Sequence, residues 1–156
     1  MIDLGLILQD ALWSALAATG FALLFNVPVR TVIGCAFLGA VGHALRTTLM
    51  QLGMSVEAGT LAGATVVGFI GVVFAHRWNT PPTVYTISGA IPMVPGSLAF
   101  RAMLGVLRLT AATSDTAAVM MAEVFINATK TGLILAAIAV GIAAPSLLFV
   151  RQKPIV

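Results

Sequence analysis

Residues able to do chemistry are scarce in this sequence, and the few that interrupt its apolar runs mark where chemistry would sit. The segment Ile91-Pro92-Met93-Val94-Pro95-Gly96 stands near the middle of a long apolar stretch. Its prolines remove two amide donors and clash with preceding carbonyls, and Gly96 permits a backbone turn, so the sequence predicts a helix broken here. Broken backbone at membrane depth persists only when it is buried in protein or lines a wet cavity. Half-helices of this kind bind solutes in transporters, because their ends carry partial charge and free hydrogen-bonding groups. A plain proline kink is the competing reading. Pro92, Pro95 and Gly96 are therefore candidate binding positions.

Arg101 follows Gly96 by five residues, about one and a half helical turns. A permanent cation at that depth is costly and faces a partner or a cavity unless it snorkels to the interface. Its planar fork suits a carboxylate. His43 and Arg46, spaced i,i+3, share one helix face beside Gly39 and Gly42. That pair is suited to an anion or to relaying a proton, and a structural histidine at a helix end is the alternative. Glu123, Asn127 and Lys130 form one helical stripe that continues into Ile134, Ala137 and Gly141. Polar residues followed by small ones look like a cavity wall closing into a packing seam; a solvated helix end with a Glu–Lys attraction would give the same pattern.

Nothing specific supports an enzyme. The sequence lacks His-Glu-x-x-His, Gly-x-Ser-x-Gly, a Walker loop and a Rossmann glycine pattern. Cys35 is alone in an apolar run, which leaves no disulfide framework or redox pair. His43 and His76 fall at opposite ends of their expected spans, so no metal site is expected, and no cofactor either. The isoelectric point of about 9.8 reflects a net charge of only +3, without the basic run and interleaved aromatics that nucleic-acid binding requires.

The elements that must position these residues follow from solvent. Of the 156 residues, 60% are hydrophobic and 8% charged, with a mean hydropathy of +1.07. A soluble domain carries about a quarter charged residues, so lipid is the main solvent here and an all-α polytopic membrane helical bundle is expected. Five stretches are long and apolar enough to span. The first runs from about Ala11, led by Asp10, to Val27, where Asn26 and Pro28 stop it. The second covers Val29 or Thr31 to Met50, the third Glu57 to Ala75, and the fourth Tyr85 to Leu107 with the break inside it. The fifth lies within Thr116 to Val150, as a near-interface part followed by a clean span from about Thr131. The linker Thr110–Asp115 ends in residues that favour a helix start. Trp13, Trp78 and Tyr85 suit interfacial anchors. Small residues at Gly59/Gly63, Ala64/Gly68 and Ala137/Gly141 suit close helix contacts. Residues 1–156 read as one transmembrane domain with no cleavable leader.

Five crossings with a cytoplasmic C-terminus put Arg30, Arg77, Arg151 and Lys153 inside, with no acid among them. Arg46, Arg101, Arg108 and Lys130, with all five acids, then fall outward or within the membrane. Lysine and arginine divide four against four, and the basic tail Arg151–Lys153 after an uninterrupted span gives the orientation N-out, C-in.

Three segments, Phe25-Asn26-Val27-Pro28-Val29-Arg30, Gly39-x-x-Gly42-His43-x-x-Arg46 and Ile91-Pro92-Met93-Val94-Pro95-Gly96, resemble the small-subunit branch of the threonine/serine exporter family. The resemblance runs over nearly the whole chain, including Asn127 and Ala144-Pro145 before the basic tail. It implies a bacterial inner-membrane exporter whose other half is a larger, separately encoded polytopic subunit. Single-chain relatives carry both halves fused, and this chain resembles the C-terminal one. The cargo implied is small and carboxylate-bearing, threonine and serine in one branch and succinate-like dicarboxylates in the split branch, with export driven by the proton gradient. The expected function is thus the small subunit of a two-component secondary exporter embedded in the lipid bilayer. The alternative is a non-transporting membrane scaffold or assembly subunit whose polar residues serve only packing.

Overall fold

The computed structural model describes residues 2–110 and 114–149, and these are helical almost throughout. The linker at 111–113 and the basic tail used for orientation lie outside the described residues. Helix α1 spans Leu4–Leu24, α2 Val29–Gln51, α3 Val56–Trp78, α4 Thr83–Ala90, α5 Gly96–Leu109 and α6 Ser114–Phe149; a 3-10 turn, Ile91–Met93, follows α4. Four helices are long and apolar enough to cross a membrane, and the bent pair Thr83–Met93 and Gly96–Leu109, inclined at 58°, makes a fifth span if counted as one. A multi-pass helical membrane protein with one broken span is what the composition demanded.

The helix ends follow local rules. Asn26 (φ 55°) and Gly53 (φ 91°) hold the left-handed turns that close α1 and α2, with the Val27 amide reaching back to Ala22 and the Met54 amide to Leu49. Ser55 caps α3, accepting from the Ala58 amide. The first helix departs from expectation. Asp3, not Asp10, is its N-cap, accepting from the Leu6 amide at 3.2 Å. The helix therefore starts two turns early, and Asp10 is carried about 9 Å inside it.

Close backbone approaches set the packing, as expected where lipid gives no hydrophobic drive between helices. A Cβ on Gly63 would stand 2.6 Å from the Gly42 carbonyl oxygen, so α2 and α3 cross with their backbones in contact. A Cβ on Gly39 would meet Ala18 and Ser14 of α1, and one on Gly141 would meet Ala64 of α3, at 2.6–2.9 Å. The core these contacts enclose contains Leu38, Val67, Tyr85, Met93 and Ile134. Tyr85 is fully buried here and not an interfacial anchor. Its ring stacks edge-on against Phe74, and its hydroxyl accepts from Thr80.

Helix α6 is continuous over 36 residues, about 54 Å, against about 30 Å of hydrocarbon. Its C-terminal half packs on α3 through Gly141 and Pro145. Its N-terminal half carries α5, which packs mainly on it and reaches the core through Leu98. The two together form an arm beside the bundle.

Candidate functional site

The break and the polar residues of α1 and α2 meet at one place. Val94 (φ −63°, ψ 128°) and Pro95 (ψ 61°) turn the chain out of helix. The expected role of Gly96 differs, since its φ is not left-handed and a Cβ there would meet nothing within 4 Å. Because the Gly96 amide bonds back to Val94, the Pro92 carbonyl loses its helical partner. The polar face of α2 reaches it and the carbonyl that follows. His43 Nε2 stands 3.2 Å from the Pro92 oxygen, and Arg46 Nη1 donates to the Met93 oxygen at 3.3 Å. On its other side His43 Nδ1 pairs with Asp10 Oδ2 at 2.9 Å, and the Thr47 hydroxyl donates to that same oxygen.

The cluster joins three of the expected positions, His43, Arg46 and Pro92, and adds two that sequence reasoning missed. Asp10 was read as the start of the first span because the apolar count begins at Ala11. The signal that would have found it is Asp3, a second capping residue followed by the apolar Leu4–Leu8. Thr47 gave no signal as a residue type, although its i,i+4 spacing from His43 puts it on the same face of α2. Arg46 Nε is buried with no hydrogen-bond partner, so its guanidinium keeps one N–H available.

Arg101 is elsewhere. It lies in a groove of about 610 Å³ between α5 and the N-terminal half of α6, with Arg108 beside it and Glu123 and Asn127 opposite. Lys130 does not line this groove and is exposed. The contact that brings the walls together is Gly105, where a Cβ would stand 2.4 Å from Val124. Helix α5 is amphipathic in the inverted sense for a membrane: its arginines line the groove, and Met103, Val106 and Leu107 face outward, exposed. No described group of three or more His, Cys, Asp or Glu side chains could hold a metal ion.

A bundle of spanning helices, one broken where polar side chains hold its carbonyls, is an architecture that polytopic membrane transporters use. The profile described as Threonine/Serine exporter, ThrE, matches residues 10–148, and the chain belongs to that family. An uncharacterized protein of Haemophilus influenzae is 42% identical over 151 residues, which are 96% of this chain and 50% of that one. The chain thus spans about half the length of that relative. No solved structure matches it.

Proposed function

We propose that this chain is the smaller half of a two-component exporter that carries small carboxylates across the bacterial inner membrane. The cargo is a dicarboxylate such as succinate, or threonine and serine, and the chain sits N-out and C-in as one transmembrane domain. The observation that carries this reading is the broken span, whose Pro92 and Met93 carbonyls are engaged by His43 and Arg46. An idle proline kink has no use for a cation and a histidine spent on it, since each polar group placed there costs free energy in lipid.

Support for a second subunit comes from α5 and α6. Arg101, Arg108 and Glu123 line a groove that the bundle does not cover. Three ionised side chains opening onto lipid would cost at least roughly 3 kcal/mol each on insertion scales. A larger polytopic partner that covers the arm removes this cost and closes the groove into a path, in which Arg101 receives the cargo carboxylate and Asn127 its remaining polar groups. The half-length match to the Haemophilus influenzae protein agrees with a second half supplied separately.

The test is flux. Co-reconstituted with the larger subunit, the chain should give saturable, gradient-driven movement of succinate or threonine, and neither chain alone should do so. Saturable flux from this chain alone would remove the two-component reading. An assembled but inactive pair, unresponsive to either cargo, would favour the scaffold alternative.

A further inference from the structure

His43 joins α1, α2 and the break, and its hydrogen-bond inventory fixes how many protons the cluster holds. A neutral imidazole offers one N–H and one lone pair, whereas an imidazolium offers two N–H groups. A carbonyl oxygen only accepts, so the Nε2 facing Pro92 at 3.2 Å carries a hydrogen. Nδ1 and Asp10 Oδ2, 2.9 Å apart, must then share a further proton. With that proton on nitrogen the pair is imidazolium and carboxylate; with it on oxygen the pair is imidazole and carboxylic acid. The count is the same either way, and the Thr47 hydroxyl donates to Oδ2 in addition.

We propose that Asp10 and His43 form a proton-binding site that latches the broken span. With the shared proton bound, His43 holds the Pro92 carbonyl; when that proton leaves to water, the latch opens. The departure leaves an Asp10 carboxylate and an imidazole with one N–H. That hydrogen stays toward Asp10, because a bond to an ionised acceptor is roughly twice as strong as one to a neutral carbonyl. The Nε2 lone pair then faces the Pro92 oxygen, acceptor against acceptor, and the contact between α2 and the break is lost. Arg46 on Met93 remains as the second tether.

The other ionisable groups around α2 do not supply a competing proton. On α1 the second acid, Asp3, is engaged at the helix end, where its amide donates to Gln51. Helix α3 brings Glu57 at the same end and His76 and Arg77 at the far end; α4 brings Tyr85, and the 3-10 turn brings carbonyls only. Among the described residues the one ion pair is His43–Asp10. The Asp10 side chain is 35% exposed against 16% for His43, so the carboxylate is the more accessible member of the pair.

The latch rests on the exporter reading only in its use: coupling proton movement to opening of the path. Its existence is tested without partner or cargo. In a Cys35→Ala background, Ala90→Cys puts a thiol beside the break at a site that is 2% exposed. Its rate of reaction with a water-soluble maleimide is divided by that of Leu52→Cys, an exposed position, measured in the same buffer. From acidic to alkaline buffer this ratio should rise roughly tenfold, the opening expected from losing one hydrogen bond to a charged donor. Adding Asp10→Asn should hold the ratio low at both pH values, because an amide can face Nδ1 as donor or acceptor and keeps the Nε2 hydrogen on Pro92. Adding His43→Leu, which has no donor for the Pro92 carbonyl, should hold it high at both. Hydrogen exchange over residues 91–99 of the unsubstituted chain, normalised to the loop at 52–54, should follow the same pH course. A flat ratio and flat exchange overturn the latch, as do Asp10→Asn and His43→Leu moving in one direction. Failure of cargo flux with the pH response intact would count against the exporter and leave the latch standing.

Discussion

Arg46 and Arg101 carry the same charge in different surroundings, and their substitutions should read out differently. Arg46 is tied to the Met93 carbonyl inside the bundle. Arg46→Met leaves that acceptor unpaired and should lower stability by about 1–3 kcal/mol, visible as a lower unfolding temperature in detergent. Arg101 lines an open groove and holds no bundle contact together. Arg101→Met should leave the unfolding temperature unchanged and abolish flux in the two-subunit assembly. Arg101→Lys keeps the charge without the planar fork. It should raise the half-saturating cargo concentration by roughly tenfold or more, the loss expected when a charged hydrogen bond is removed. Normal flux from Arg101→Met would return that residue to an interfacial cation. Gly96→Ala should be silent in both assays, since space is open there and the turn is made by Val94 and Pro95.

At the scale of elements, the broken span and the glycine crossing are separately testable. Cysteines placed singly from Ala90 to Leu98, with Cys35 replaced, should give a graded pattern of reaction with a water-soluble thiol reagent. Ala90 and Met93 are buried and should be protected in acidic buffer, whereas Val94, 45% exposed, should react. Uniform protection across the window would leave only a packing kink. The α2–α3 crossing depends on the absence of a side chain at Gly63, where a Cβ would meet the Gly42 oxygen at 2.6 Å. Backbone is the obstacle and cannot swing aside, so Gly63→Leu should cost about 1–3 kcal/mol or more and broaden the unfolding transition.

For the whole molecule, the arm formed by α5 and the first half of α6 is the surface on which the proposed larger subunit would dock. Its outward stripe of Met103, Val106 and Leu107 is apolar and exposed, and its charges face inward along the groove. Val106→Glu, on that stripe, should abolish co-purification with the larger subunit while leaving membrane insertion of this chain intact. Retained co-purification would move the interface to another face of the bundle.

The sequence by itself determined what periodicity, solvent and covalent geometry decide. Eight per cent charge forces lipid on the chain, and Pro92 and Pro95 force a break in the fourth span wherever its ends lie. The small residues Gly63, Ala64, Gly68 and Gly141 named the crossings, because only close backbones make such positions worth keeping small. Stripes on single helices were equally legible, which is how His43 and Arg46, and Glu123 and Asn127, came out as pairs. Partners between helices were not. The single-helix pattern that put Arg101 near Gly96 did not reveal that α5 leaves the bundle at 58° and carries the residue to α6. Asp10 looked like a helix start because hydropathy does not distinguish a cap from a charge two turns further on. Only the tertiary structure set it against His43, 33 residues away in sequence, because the Gly39 contact with α1 fixes the rotation of α2. Which faces meet depends on the sum of many such backbone approaches along both helices, and no single stretch of sequence contains that sum.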